Sequence, residues 1–548
     1  MPESGRRADE ARIGSRLSGP VFSYTTIGLL QLKVVWAIWA FRELSVGDTS
    51  YYFLSAVDWH RSGRVQFSWS PLYTSFLGVF LDFWQDAYAV ITAHRFVIVM
   101  ALSLLVLALM RRLLPPAVAW GAAAWWVIMP VNFNAPYEIH LFALIPAIVA
   151  LLLLGWRSPW GRGGALAILM VGGLLVRNEL LIAGGMLLLC CFVAELRGRI
   201  SLRNATPYVA CALVALAFCG FYLQRASDRV DLGAAFSGKE RFVFCQNYAF
   251  SYQQRHNDFT ASPWTECGKL MTRVYGTPRP SMAQAFAINP SAMLEHVGWN
   301  IRLMPYGLQV LLFNLSAGRI TPDYEAVIRG GPIIWLPSMM LLALLVAGLW
   351  WIFIERQFWT KPLPSSSGWI WVGLACFAIM TAIIMLVQRP RPSYIFILGI
   401  GVRALAGMCF YVLTARTAIW NRLNRWFPAV AMLLVVVTPP AYPLAMAHRP
   451  RLFHDQYERL APFQARIESK QTVLAGLGLF QETCNYLIKA NSCYPLDTVA
   501  KTDALLRIPG VDMIYLEDQQ KADALRALGW RKLAGSNQPG TSWCLLRH

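Results

Sequence analysis

The chain has 548 residues, 56% of them hydrophobic and only 14% charged, with a mean hydropathy of +0.43. Soluble domains carry about 25% charged residues, so a soluble chain of this size could not hide so much apolar surface, and its solvent must include lipid. The formal charge of +19 does not point to nucleic acid, because the basic residues are scattered between apolar runs rather than gathered on one face. Positive-inside bias and anionic lipid account for them.

The polar stretch from Met1 to about Pro20 carries Arg6, Arg7, Arg12 and Arg16 ahead of the first apolar run, Val21–Phe41. About 20 residues at 1.5 Å each cross the hydrocarbon core. No small-residue cleavage site follows at Arg42-Glu43-Leu44, so the run reads as an uncleaved signal anchor. Ten further spans are expected: Ala87–Met110, Ala117–Phe133, Leu141–Trp156, Gly164–Val176, Leu180–Ala194, Pro207–Leu223, Pro332–Ile354, Trp369–Val387, Tyr394–Leu413 and Phe427–Met446. Arg177-Asn178-Glu179 interrupts one long apolar stretch, which therefore reads as two short helices meeting near one face.

With the N-terminus in the cytoplasm, the inner loops hold Arg111/Arg112, Arg157/Arg162, Arg197/Arg199/Arg203, Arg356/Lys361 and Arg416/Arg422/Arg425. Each turn on that side is basic, as the positive-inside rule requires. The expected fold is a polytopic α-helical membrane protein of about eleven transmembrane helices in the cytoplasmic (inner) membrane. Residues 1–20 form a cytoplasmic tail and residues 21–446 the membrane domain. Residues 42–85, 224–331 and 447–548 then lie outside the cytoplasm. Ser291–Asn314 reads as a helix with an apolar stripe (Met293, Val297, Ile301, Leu308, Leu311) lying on the membrane surface. The tail reads as a small extracytoplasmic α/β domain, with strands at Val473–Gly476 and Val511–Glu517 and a helix at Gln519–Leu528.

Of eleven cysteines, six (Cys190, Cys191, Cys211, Cys219, Cys376, Cys409) fall in spans and read as small hydrophobes. The other five fall on the outer side, where disulfides form. Cys245–Cys267 and Cys484–Cys493 are the favoured local pairings, leaving Cys544 free.

Asp48 leaves the membrane a few residues after the first span, where a carboxylate is well placed to act on a lipid-borne substrate. A general base needs that reach, although Asp48-Thr49-Ser50 also fits an N-cap cluster. Tyr51, Tyr52, Asp58 and His60 follow at helical spacing, the tyrosines also fitting an interfacial belt. Glu138 and His140 stand at the same membrane level and could contact a sugar or hold a divalent ion, two ligands falling short of a metal site. Arg177 and Glu179 are intramembrane charges, which are functional by default, although the two opposite charges also fit a pair that simply satisfies itself at a helix break. Arg389 and Arg391 make one short outer loop basic, against the trend, and guanidinium forks match phosphate oxygens. Arg241, Arg255 and Lys269 are weaker phosphate candidates. Lys33 reads as snorkelling, and His94-Arg95 as reaching the outer-face site.

The order of these elements resembles the GT-C superfamily of membrane glycosyltransferases, including the protein O-mannosyltransferase-like and lipid A aminoarabinose transferase-like enzymes. The resemblance covers nearly the whole chain. It rests on Asp48 in the first outer loop, Ser70–Tyr73 entering the second span, Arg177 and Glu179 near the fifth, Pro390, Arg391 and Tyr394 entering a late span, and the α/β tail. Thr49 and Asn178 stand where many members carry Glu and Pro. The resemblance implies a polyprenyl-phosphate sugar as donor, inversion at the anomeric carbon, and a glycan, lipid or protein as acceptor. Asp48 would then be the base. Arg389, Arg391 and Arg241 would hold the phosphate, with Tyr51, Tyr52, His94, Arg95, Glu138, His140, Arg177, Glu179 and Tyr394 around the donor. An O-antigen ligase or polysaccharide polymerase is the rival enzyme reading. A lipid or sugar transporter is the rival that is no enzyme, but it would place charges near the midplane and repeat its halves.

Overall fold

The computed structural model describes residues 19–44, 47–129, 138–156, 158–197, 202–226, 232–318, 320, 328–329, 331–354 and 367–449, with short pieces of the chain beyond. The Arg-rich stretch before Ser18, residues 134–137, Cys484 and most of Gln519–Leu528 lie outside these.

In their described residues, all eleven apolar segments are helical. Among the described residues, eight helices are long and apolar enough to cross a membrane: Pro20–Phe41, Ala87–Leu113, Glu179–Arg197, Ala205–Gln224, Trp335–Ile354, Gly368–Val387, Phe396–Thr414 and Ala418–Met446. The other three segments are shorter, at Pro116–Val127, Glu138–Leu154 and Pro159–Leu175. Seventeen residues cover about 25 Å, short of the roughly 30 Å core. The protein is a polytopic helical membrane protein, and among the described residues eight of the eleven apolar segments form helices of full spanning length.

Two spans are interrupted. The first divides into Pro20–Val34 and Ile38–Phe41, because Ala37 takes a left-handed conformation (φ 62°). The last runs from Ala418 to Val437 and resumes at Ala441. Thr438 precedes Pro439-Pro440, which push it out of the helical region and remove two donors.

The chain divides into two compact units, one from Met1–Trp36 and Phe96–Leu444, the other from Ala37–Arg95 and Ala445–His548. In the first, small residues let helices approach. A Cβ on Gly348 would lie 2.2 Å from Cys409 Cβ, and one on Gly173 would lie 2.5 Å from the Leu181 side chain. The expected break at Arg177-Asn178-Glu179 is present, between Pro159–Leu175 and Glu179–Arg197.

Two cations in this unit, Lys33 and Arg403, meet helix C-termini. The four last carbonyls of a helix lack intrahelical partners and carry the negative end of its dipole. Lys33 donates to the Val435 carbonyl at 2.8 Å and to that of Val436, so it pairs with a helix end rather than snorkelling to water. Arg403, 0% exposed, donates to the Leu311 carbonyl at 3.0 Å while Trp125 donates to that of Leu312 at 2.7 Å.

Between the spans at 224 and 331 the described residues include four helices, Leu232–His256, Cys267–Tyr275, Met282–Ile288 and Pro290–Phe313, and two short parallel strands, Leu315–Ser316 and Ile328–Arg329. The Cys245–Cys267 disulfide is formed as expected. Around it pack Phe244, Tyr248, Leu270, Met271, Tyr275 and Met293. The Pro290–Phe313 helix departs from the expected apolar stripe in part: Met293 and Leu311 are buried, but Ile301 is 54% exposed while His296 and Asn300 are fully buried. It packs on Leu232–His256, Ser367–Val387 and Phe396–Thr414, and hydrogen bonding to those neighbours selects its partly polar face.

In the second unit, Asp48–Ser62 and Pro71–Val79 form a helical pair. Gly78 permits their close approach, since a Cβ there would lie 2.6 Å from the Trp59 ring. The tail holds a five-stranded mixed sheet. Val473–Gly476 pairs in parallel with Ser492–Pro495 and Val511–Leu516, and Trp543–Leu546 runs antiparallel between Val511–Leu516 and Arg531–Lys532.

Candidate functional site

The sequence-selected residues gather into a cluster within each unit. In the first unit, Arg177 lies in the break between Pro159–Leu175 and Glu179–Arg197, its N–H donating to the Gly172 carbonyl at 2.9 Å, and its side chain reaches two other chain segments. Arg177 Nη1 lies 2.6 Å from the His140 ring nitrogens. Its Nε donates to Glu179 Oε2 at 3.2 Å, and its Nη2 donates to Glu179 Oε1. The guanidinium also sits 5.4 Å from the Tyr394 ring centre, against whose face Arg391 lies at 5.9 Å. His140 meets the same Tyr394 ring edge-on at 4.9 Å. Residues from positions 140, 177–179 and 391–394 thus form one cationic and aromatic group. Glu138 is 1% exposed at the start of its helix.

Glu138 and His140 are two apart on a helix and so face different sides, and the His140 nitrogens already face a guanidinium. This donor arrangement does not suit a cation.

The Arg389–Tyr394 turn gets its shape from prolines. Pro390 and Pro392 restrict the residues before them to extended conformations, and Arg391 has φ −65° and ψ 145°. The Arg391 N–H donates to the Arg389 carbonyl at 2.7 Å, an inverse γ-turn centred on Pro390. Arg389, 2% exposed, lies over the Phe250 ring at 4.2 Å, and its N–H donates to Asn247 at 3.3 Å. Arg241 is exposed on the same helix as Asn247 and Phe250.

In the second unit, Asp48 is the first residue of its helix and is exposed. Gly47 takes the N-cap position, so the expected Asp cap is absent. The Ser50 hydroxyl donates to the Gly47 carbonyl at 2.9 Å and accepts from Asn485 at 3.0 Å. A carboxylate at the first helical position complements the positive end of the helix dipole. One turn on, Tyr51 stacks on Trp69 at 5.3 Å, while Tyr52 meets Trp69 and Tyr73 edge-on. Tyr73 Oη lies 3.1 Å from His94 Nε2, and His94 Nδ1 lies 2.8 Å from the Ile91 carbonyl. The carbonyl assigns the neutral ring's proton to Nδ1, so Nε2 accepts from the tyrosine. His94 and Arg95 are both buried.

Nearby carboxyls are raised by burial. Asp58 is raised despite Arg61 and a 3.2 Å hydrogen bond from Gln66. Glu43 is raised although it accepts from the His454, Leu44 and Phe453 amides. His454, Asp455 and Glu458 bring ligand atoms together, but Arg451 donates to His454 Nδ1, and its positive charge opposes a cation there. Burial, then Arg451, lowers the His454 pKa.

Sequence reasoning did not single out Arg403 or His296. Arg403 carried a readable signal, an arginine deep inside an apolar run. His296 carried none, since a lone histidine on a helix has no pattern.

No family model matches the chain, and a search of curated proteins returns no match. Among solved structures, the chain is similar to the Archaeoglobus fulgidus oligosaccharyltransferase in three states. Its apo form aligns with a TM-score of 0.45 at 12% identity, covering 90% of this chain and 69% of that one. The form tethered to an acceptor peptide containing the NVT sequon gives 0.45 and 12%, over 97% and 75%. The complex with Zn and sulfate gives 0.43 and 11%, over 90% and 68%.

Proposed function

We propose that this protein is an inverting membrane glycosyltransferase of the GT-C type, moving a sugar from a polyprenyl-phosphate donor to an acceptor hydroxyl at the outer face of the cytoplasmic membrane. The observation that carries the reading is the convergence of Arg177, His140, Glu179, Tyr394 and Arg391 from three distant stretches. Such a group at the ends of membrane helices suits an anionic lipid headgroup: guanidinium forks hold phosphate oxygens, and tyrosine and histidine offer flat, polar-edged surfaces to a sugar.

In the proposed reaction the Asp48 carboxylate takes the acceptor hydroxyl proton as that oxygen attacks the anomeric carbon. The anomeric C–O bond to phosphate breaks and its electron pair leaves with the phosphate. Arg389, Arg391 and Arg177 stabilise that charge, the contribution that usually dominates. A phosphate leaving group needs little protonation, so one carboxylate suffices where a hydrolase uses two. The acceptor would be a glycan, a lipid or a protein.

The test is transfer from a radiolabelled polyprenyl-phosphate sugar by the purified protein. Asp48→Asn is expected to insert and fold normally and lose transfer. Arg391→Gln is expected to lose about ten- to a hundredfold in turnover at unchanged melting temperature, one charge-assisted hydrogen bond being worth roughly 1.5–3 kcal/mol. Wild-type turnover in Asp48→Asn would remove the base assignment and favour a ligase or polymerase mechanism.

A further inference from the structure

Three buried polar side chains meet the chain where Ser367–Val387 ends and the Arg389–Tyr394 turn begins. His296, fully buried, places Nε2 2.8 Å from the Val387 carbonyl. Asn300, also fully buried, donates from Nδ2 to the Leu386 carbonyl at 3.3 Å. Ser251 donates to Asn300 Oδ1 at 3.4 Å, fixing which end of the amide faces Leu386. Asn247 accepts the Arg389 N–H.

Leu386 and Val387 carry two of the terminal carbonyls that a helix leaves without partners. Burying them unpaired would be unfavourable, and the next residues give no alternative, since Pro390 and Pro392 lack N–H donors and hold the chain extended. Packing alone does not call for His and Asn here: apolar residues of similar volume would fill the space without two polar groups to satisfy. The ring of Tyr248, 5.3 Å from that of His296, and the Cys245–Cys267 disulfide brace the helix opposite.

We propose that His296, Asn300 and Asn247 are positioning residues that set the conformation of the Arg389–Tyr394 turn and so the aim of Arg389 and Arg391. Their role in donor binding rests on the function proposed above, whereas the clamp itself does not. His296 acts through the Val387 carbonyl. Glutamine, whose amide nitrogen reaches about as far as Nε2, should replace it, and leucine should not.

The experiment measures amide hydrogen exchange in the full-length protein in detergent, at Arg389, Arg391, Ser393, Tyr394 and Ile395, together with binding of decaprenyl phosphate. In His296→Leu, exchange across this turn is expected to rise roughly ten- to a hundredfold, as follows from leaving a buried carbonyl unpaired. Exchange in Trp335–Ile354 should stay unchanged, His296→Gln should restore protection, and decaprenyl phosphate affinity should fall by a similar factor. Exchange at the turn that stays at the wild-type rate, or rises equally throughout the chain, would overturn the clamp. A loosened turn that binds decaprenyl phosphate as tightly as wild type would support the clamp and overturn the phosphate role of the two arginines. If His296→Leu does not fold, Asn300→Leu and Asn247→Leu remove the other two bonds and carry the same readings.

Discussion

Arg177 and His296 illustrate how a single side chain is read differently by its neighbours in sequence and in space. In sequence, Arg177 stands two residues from Glu179 and suggests a self-satisfied pair at a helix break. In the structure that pair exists, but His140 and Tyr394 complete the shell, which makes Arg177 the centre of a group. His296 is governed by burial. Desolvation, with Arg255 and Arg389 nearby, lowers its pKa to about 4 from an ordinary 6.5. Between those values the unfolded chain binds a proton that the folded chain refuses. Stability from this residue is therefore complete above about pH 6.5 and is lost as pH falls towards about 4, by at most about 3 kcal/mol. Melting temperatures in detergent at pH 7.5 and pH 5 should show a larger drop for wild type than for His296→Gln. Equal drops would mean that His296 does not carry this dependence.

At the level of elements, helix ends rather than acidic side chains answer two of the cations, Lys33 and Arg403. Lys33 meets the end of Ala418–Val437, and Arg403 meets the end of Pro290–Phe313. Side-chain capping recurs at Ser367–Val387 through His296 and Asn300. A carbonyl cluster carries only partial charge, but it is already oriented and needs no desolvation of a carboxylate, so it suits a low-dielectric setting. Close helix contact is the other device. Gly348 faces the Cys409 backbone, with a Cβ 2.7 Å from its Cα, so the two helices must separate to admit one. Gly348→Ala should destabilise the protein by about 1–3 kcal/mol, the usual result of overpacking, and lower its melting temperature in detergent. A melting temperature equal to wild type would show that this contact is looser than the structure gives.

For the whole molecule, the proposed orientation places Asp48 and the tail beyond Ala447 outside the cytoplasm. The orientation rests on the basic character of the loops expected inside. Reporter fusions active only outside the cytoplasm, joined at His548, should be active, and silent fusions would reverse the proposal. The second compact unit draws both Ala37–Arg95 and Ala445–His548 into one body, joining segments about 350 residues apart in the chain.

Hydropathy alone determined that the protein is a multi-helix membrane protein, because apolar runs that meet lipid must be helical to pair their own backbones. Local chemistry also made the helix break at Arg177–Glu179 legible, as it did the short loop at Arg389–Tyr394 and the Cys245–Cys267 bridge. The left-handed Ala37 that divides the first span was not legible, since alanine otherwise favours helix and nothing local announces the turn. Nor were the partners of Lys33 and Arg403, because a helix C-terminus 402 or 92 residues away leaves no mark beside the cation it binds. The same holds for His296 and Asn300. Their burial is set by which face of Pro290–Phe313 meets the end of another helix, and only tertiary packing decides that.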